Sequence, residues 1–307
     1  MHDAFHIVYI LNDAYWVPVL VSAFSVLKNT HHANLIFHFC VDGVTEEHQQ
    51  LIASRLNSER SMSIFHNIDM HIFKDLPAWH GTKLVWARCL LYELLPDVHG
   101  WVCICDGDTL WYKGVEDLIS ELELLPSSVI IAGSHNNDIN ARGPIVRLNE
   151  VGINLLAEDT FCLGFAVVHI DRMRAFNTYQ KCISYLDRYG ITKYLEQDIF
   201  NWIFRNNKYI LSYGWGAYSS NGNLRWMKKD ALCVVHYVCD LPWIQSWRNG
   251  LTPVKRDWWH MAEQCGAIKY DPRYSKNRIT FIIMQLISFS HGMLPACLRK
   301  RIQGDFT

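Results

Sequence analysis

Short runs of β-branched and aromatic residues that end on polar residues alternate along this chain with longer segments whose apolar residues recur at helical spacing. Strands separated by crossover helices lie parallel in one sheet covered on both faces, so the alternation predicts an α/β fold. Strands are expected over 5–11, 35–41, 102–105, 129–133, 161–170 and 232–236. Helices are expected over 16–28, 46–57, 84–95, 172–189 and 197–206, each with an apolar stripe. Thr45 before Glu46 and Glu47 reads as an N-cap followed by first-turn acids. No internal repeat, low-complexity tract or Pro/Ser-rich linker interrupts the pattern. One main domain is therefore expected over 1–260, with a C-terminal helical segment over 261–307.

Half of the 307 residues are hydrophobic, enough for a large core, which excludes a disordered or fibrous chain. A net charge of −1 gives no global field toward phosphate backbones, so no nucleic-acid partner is expected. The ten cysteines form no CxxC pair, and most fall in apolar runs such as "WVCIC" and "FCLGF". They read as free thiols in a reducing compartment. The first apolar run, "FHIVYIL", is short and lacks a basic leader, so a cytoplasmic chain without a secretory signal is expected. Residues 279–298, "ITFIIMQLISFSHGMLPACL", are followed by "RKR". Gln, Ser, His, Gly and Pro interrupt that run too often for a membrane span. Two readings stand beside each other: a peripheral contact with the cytoplasmic face of the inner membrane, or a helix packed back on the core.

The chemistry concentrates in "WVCICDGDTLW", residues 101–111, where Asp106 and Asp108 follow a buried strand. An ionised carboxylate removed from water requires a cation or hydrogen-bond donors. Open α/β sheets place their ligand crevices at the carboxyl ends of strands, and two carboxylates on one D-x-D turn suit Mg²⁺ or Mn²⁺ completing its shell with phosphate oxygens. An ordinary Asp-capped turn fits the tripeptide equally well. His236 ends another β-branched run, "VVH", and an imidazole beside two carboxylates favours Mn²⁺ over Mg²⁺. With 15 histidines in the chain, a structural role for His236 is the plain alternative.

Further segments bear on that choice. "IVYILNDAYWVPVLVSAFSVL", "HGTKLVWARCLLYELLP", "CDGDTLW", "FCLGFAVVHIDRMRAF", "YLEQDIFNWIF" and "HYVCDLPW" occur in this order between residues 5 and 243. They resemble, in the same order, the motifs of glycosyltransferase family 8, which includes glycogenin and bacterial lipooligosaccharide galactosyltransferases and lipopolysaccharide glucosyltransferases. The resemblance implies a GT-A fold: a Rossmann-like nucleotide-binding domain with a mixed, mostly parallel sheet flanked by helices. It also implies retaining transfer of a hexose, galactose or glucose, from a UDP-sugar donor to a saccharide acceptor. By the same resemblance, Mn²⁺, or alternatively Mg²⁺, would be held by Asp106, Asp108 and His236 and would bridge to the diphosphate.

The resemblance also assigns the remaining residues. Asn12 and Asp13 would contact the uridine, Tyr15 would pack under it, His80 would approach the uracil, and Arg88 would lie by the nucleotide. Gly107 belongs to the D-x-D turn, and Cys162 and Gly164 to the donor-sugar segment. Gln197 would stabilise positive charge on the reacting sugar, and Glu196 would hold sugar hydroxyls. An amide is a poor nucleophile, so front-face attack by the acceptor hydroxyl is expected, with double displacement the alternative. Local readings compete: Asn12 and Asp13 as a turn and helix N-cap, Arg88 as a surface arginine, "EQD" as acids at a helix N-terminus.

Three departures bear on specificity. "HYVCDLPW" is one residue shorter than the family's "HYxGxxKPW" and lacks its Gly and Lys, leaving Arg248, Lys255 or Arg256 as replacement cations. The family's Asn-Ala is Cys162-Leu163, and Glu196 is one methylene longer than the usual Asp. These departures motivate a competing reading, a degenerate non-catalytic sugar-nucleotide-binding protein. A metal-dependent phosphohydrolase is weaker, because it calls for more carboxylates around two metals. Trp243, Trp247, Trp258 and Trp259 offer either faces for acceptor sugars or core packing. The C-terminal segment suggests a glycolipid acceptor such as a lipopolysaccharide core.

Overall fold

The computed structural model describes residues 4–79, 81–136, 143–219, 224, 228–238, 240–244 and 252–269. Two compact units divide the chain, residues 1–238 and 239–307. In the first, β1 (Ala4–Asn12) leads through a 3₁₀ turn into α1 (Trp16–Asn29), followed by β2 (Asn34–Asp42), α2 (Glu46–Leu56) and β3 (Ser61–Asn67). A 3₁₀ helix over Leu84–Leu90 runs into α3 (Leu91–Leu94), then come β4 (Trp101–Cys105), β5 (Thr109–Trp111), α4 (Val115–Leu122), β6 (Ile131–His135) and α5 (Val146–Asn149). The unit continues with β7 (Phe161–His169), α6 (Ile170–Ala175), α7 (Thr178–Tyr189), α8 (Leu195–Ile203), β8 (Lys208–Ile210), β9 (Ala217–Tyr218) and β10 (Val234–His236). The second unit contains α9 (Pro253–Gln264).

The main sheet has strand order β3-β2-β1-β4-β7-β6-β8. β1 through β4 run parallel, β7 is antiparallel to both β4 and β6, and β8 is parallel to β6, so the expected α/β sheet is mixed and mostly parallel. β2 reads "NLIFHFCVD" and is buried from Leu35 through Val41, as a strand covered on both faces requires. Tyr9 stacks on Phe39 and Phe39 on Phe65 across neighbouring strands, while Trp86, Leu90, Ile104, Phe161 and Phe200 belong to one large apolar cluster. β1 lies between β2 and β4, where the strand order reverses, and open α/β sheets hold their ligands beyond the carboxyl ends of the strands at such a point. A small second sheet, β5-β10-β9, carries β10 antiparallel to β5 and brings His236 opposite Thr109.

Several expected elements differ in detail. The helix expected over 84–95 is a 3₁₀ helix followed by one α-turn. Nearly every residue of that 3₁₀ stretch is buried, so packing rather than an exposed face sets its winding. The helix expected over 172–189 breaks into α6 and α7 at Asn177, whose φ of 54° is left-handed, a region that Asn tolerates better than most residues. β6 lies two residues beyond the strand expected at 129–133, and β10 begins two residues after the start expected at 232. β3, an edge strand with half-buried side chains, was not expected at all, because "SMSIFHN" mixes polar and apolar residues on both faces.

The described cysteines, Cys40, Cys89, Cys103, Cys105, Cys162, Cys182, Cys233 and Cys265, are all buried and unbridged. In the second unit Trp243 packs on Trp258 at 5.0 Å and Trp258 on Trp259 at 5.1 Å, and all three are buried. These tryptophans are core rather than platforms for a sugar; Trp247 lies outside the described residues. No described helix is long and apolar enough to cross a membrane. The C-terminal segment 278–307 lies outside the described residues.

Candidate active site

The D-x-D turn is braced from below. Asp106 donates its backbone N–H to the Gly164 carbonyl on β7 at 2.8 Å, and the Asp108 carbonyl accepts from Tyr237 N–H at 2.8 Å. Thr109 donates its hydroxyl to the Asp106 carbonyl at 2.8 Å, and a buried hydroxyl chain continues to Ser22 at 2.7 Å and on to Tyr9 at 2.9 Å. The turn therefore rests on β1, α1, β7 and the second sheet together. Gly107 is required where it sits: a Cβ there would lie 2.7 Å from Val19 Cγ2 and 3.3 Å from the Tyr15 ring.

His236 Nε2 stands 3.2 Å from Asp108 Oδ1 and 3.9 Å from Asp106 Oδ2, and one ligand atom from each of the three residues lies within 4.8 Å of the others. Ligands of an octahedral ion at about 2.1 Å stand about 3 Å apart in cis positions and about 4 Å in trans, so the spacing fits a hard divalent cation. Among the described residues this is the one cluster of that kind. The imidazole is buried and closely fitted; a Cβ on Gly164 would lie 2.7 Å from both ring nitrogens. Burial alone would raise the Asp108 carboxyl, yet the His236 imidazole overrides it and holds the carboxyl below its usual range. Burial would lower His236; the Asp108 carboxylate instead raises it well above the ordinary imidazole value.

Arg88, expected to lie by the nucleotide, is a buried fork. Its Nη1 donates to Glu196 Oε1 and its Nη2 to Asp106 Oδ1, so one guanidinium ties the D-x-D turn to α8. Burial pushes the Glu196 carboxyl up to about 7, and Arg88 pulls in the opposite direction. Gln197 accepts the Leu163 N–H on its amide oxygen at 3.2 Å, which leaves a second lone pair on that oxygen. Asn201, one turn further along α8, pairs with Phe161 through both its amide groups, at 2.9 Å each, and so docks the helix on β7. Leu195 carries a left-handed φ of 41° just before Glu196. Asp198 is buried and receives Arg147 Nη2 at 2.5 Å and Nε at 3.2 Å together with the Tyr194 N–H at 3.1 Å. The Arg147–Asp198 clamp escaped sequence reasoning, since nothing in "IVRLN" points to a helix 51 residues away.

At the end of β1, Asn12 accepts the Ala14 N–H at 3.2 Å and caps the 3₁₀ turn, as its local reading has it. Asp13 accepts from Thr45 N–H at 3.2 Å and meets His48 Nδ1 at 2.5 Å, which ties β1 to the start of α2. Tyr15 stands at the surface beside Gly107, so the turn after β1 and the D-x-D turn lie side by side. His80 and Arg248 lie outside the described residues. Of the other two replacement cations, Arg256 is exposed, whereas Lys255 is buried and donates to Asp240 Oδ1 at 2.5 Å. Lys255 is thus neutralised within its own unit, a correction to the expectation that it stands free for a phosphate.

Residues 6–246 match the model of glycosyl transferase family 8. A provisionally named glycosyltransferase of Haemophilus influenzae (strain ATCC 51907 / DSM 11121 / KW20 / Rd) is 23% identical over 228 residues, which cover 73% of this chain and 66% of that protein. The galactosyltransferase LgtC, solved with donor and acceptor sugar analogues, superposes with a TM-score of 0.69 at 16% identity, over 85% of this chain and 96% of that one. The WbbM bifunctional glycosyltransferase superposes at 0.68 with 15% identity, over 91% of this chain and 52% of that one. This chain therefore spans just under two thirds of the Haemophilus relative and about half of WbbM. At such identities the structural likenesses speak for the fold, which is the GT-A fold of these transferases. The family match extends over most of the chain and includes Asp106, Asp108, His236, Arg88 and Glu196, and the protein belongs to glycosyltransferase family 8.

Proposed function

We propose that this glycosyltransferase moves a hexose from a UDP-sugar to a saccharide acceptor with retention at the anomeric carbon. The observation that carries the reading is the cluster of Asp106, Asp108 and His236 at the carboxyl end of β4, with Arg88 and Glu196 beside it. Asp106, Asp108 and His236 would hold Mn²⁺, or Mg²⁺ in its place. The ion would supply positive charge for the departing diphosphate. Asn12 and Asp13 would meet the uridine and Tyr15 would pack against it, where Tyr15 lies beside Gly107.

Arg88 would hold Glu196 so that its carboxylate faces sugar hydroxyls, which carboxylates bind strongly. The Gln197 amide oxygen would stabilise the electron-poor anomeric carbon. The adjacent carboxylate, Asp198, is committed to Arg147 and the Tyr194 N–H, which favours front-face attack by the acceptor hydroxyl over a covalent intermediate on α8. The acceptor is proposed to be a glycolipid saccharide, on the strength of the Ile/Phe/Leu-rich sequence 279–298 and its "RKR" end. Removing residues 278–307 should then abolish co-sedimentation with anionic lipid vesicles.

The absent Lys of "HYxGxxKPW" and the engagement of Lys255 by Asp240 favour one competitor, a sugar-nucleotide-binding protein without turnover. Incubation with Mn²⁺ and a panel of UDP-sugars, with and without saccharide acceptors, separates the two. Release of UDP from UDP-galactose or UDP-glucose supports the enzyme; saturable UDP binding with no release from any donor supports the competitor.

A further inference from the structure

Cys162 stands where the family carries an amide, and its sulfur is turned toward His236. Sγ lies 3.8 Å from Nδ1 of the imidazole, the ring nitrogen opposite the carboxylates, and both side chains are buried. The Gly164 N–H also donates to this sulfur, at 3.4 Å, so Sγ is held in place as an acceptor. The remaining sides of the ring are fixed by bulk: Gly164 leaves no room for a side chain, and Tyr218 meets the imidazole edge-on at 5.6 Å and 86°.

A neutral imidazole carries one N–H, and the nitrogen that lacks it is the one able to bind a metal. Asp106 and Asp108 both face Nε2, so an ion held among the three takes the Nε2 lone pair, and the one remaining N–H must stand on Nδ1, where it needs an acceptor. Metal-bound histidines ordinarily have their other nitrogen held by an acceptor, most often a carboxylate, a carbonyl or water. We propose that Cys162 is the positioning residue for this site: its sulfur accepts the Nδ1–H of His236 and leaves the Nε2 lone pair facing Asp106 and Asp108 for a divalent ion. The inference rests on the metal reading above and goes beyond it, because it gives the Asn-to-Cys departure a task in ion binding rather than in sugar recognition.

The test uses the full chain with Mn²⁺ alone as probe, its free concentration read by electron paramagnetic resonance, on the parent protein and on Cys162→Ala and Cys162→Ser. Cys162→Ala should weaken Mn²⁺ binding about 10- to 100-fold. Cys162→Ser, which keeps an acceptor, should return to within a few-fold of the parent, with thermal midpoints close to one another. A second readout needs no variant: ¹⁵N shifts of His236 in the Mg²⁺-loaded parent should report the Nδ1–H tautomer. Equal Mn²⁺ affinity in the parent and a folded Cys162→Ala, or an Nε2–H tautomer in the loaded parent, would overturn the inference while leaving the metal site intact. Failure of the parent to bind Mn²⁺ would overturn the metal reading and this inference with it.

Discussion

A side chain on Gly164 would enter the imidazole of His236: its Cβ would come within 2.7 Å of both ring nitrogens. The absence of a Cβ on one strand thus makes room for an imidazole on another, where it faces Asp106 and Asp108. Gly164→Ala should displace the ring and weaken Mn²⁺-dependent UDP binding at least about tenfold. Overpacking should lower stability by about 1–3 kcal/mol. Calorimetric titration of UDP with Mn²⁺ present, alongside urea unfolding, checks both; an unchanged UDP affinity would show that the ring's position is irrelevant.

Arg88 is the shared cation of two carboxylates, Glu196 and Asp106, and is itself buried. Arg88→Met should leave the buried Glu196 without its cation and Asp106 with His236 alone, and cost about 3–5 kcal/mol in unfolding free energy. The double change Arg88→Met/Glu196→Gln should recover a large part of that loss, because the buried charge leaves with its partner. A single-variant loss below about 1 kcal/mol in urea unfolding would contradict the arrangement.

A ladder of imidazoles crosses β1, β2 and β3, with His6 Nδ1 2.8 Å from His38 Nε2 and His38 Nδ1 3.0 Å from His66 Nε2. Burial first, and then the two flanking imidazoles, hold His38 down to about 3; burial lowers His6 and His66 as well. The unfolded chain binds a proton on each near the ordinary value of about 6.5, so between these limits it holds more protons than the folded state. The stability attached to His38 is complete above the unfolded value and is lost as pH falls toward the folded one. By pH 5 that loss should be about 2 kcal/mol from His38 alone. Urea midpoints at pH 7 and pH 5 should differ accordingly, and less so in His38→Gln. Equal pH sensitivity in parent and variant would refute the assignment.

The parts legible in the sequence are those where chemistry is local. β2, β4 and β7 announce themselves because strands buried on both faces are apolar along most of their length, β1 because of its run Ile7–Leu11, and the carboxylates after β4 stand out against that background. Thr45 caps α2 as expected, since its hydroxyl accepts His48 N–H three residues on. Partnerships across the fold were hidden. In the sequence Asp13 reads as a nucleotide contact or a turn residue and Asp198 as an acid at a helix N-terminus, and only the fold brings His48 to the first and Arg147 to the second. The indoles of Trp243, Trp258 and Trp259 show one letter whether they meet sugar or one another, and only packing decides. The turn at Asn177 depends on a backbone angle to which no neighbouring residue type commits the chain.

In the proposed function Asp106, Asp108 and His236 act together through a divalent ion on a nucleotide diphosphate. The most direct measurement is the affinity of UDP for the parent protein and for Asp108→Asn, each titrated with Mn²⁺ and again with the ion chelated. The parent should bind UDP at least about tenfold more tightly with Mn²⁺, about 1.4 kcal/mol, and Asp108→Asn should lose that difference while staying folded. An Mn²⁺ effect of equal size in both proteins, or none in the parent, would contradict it.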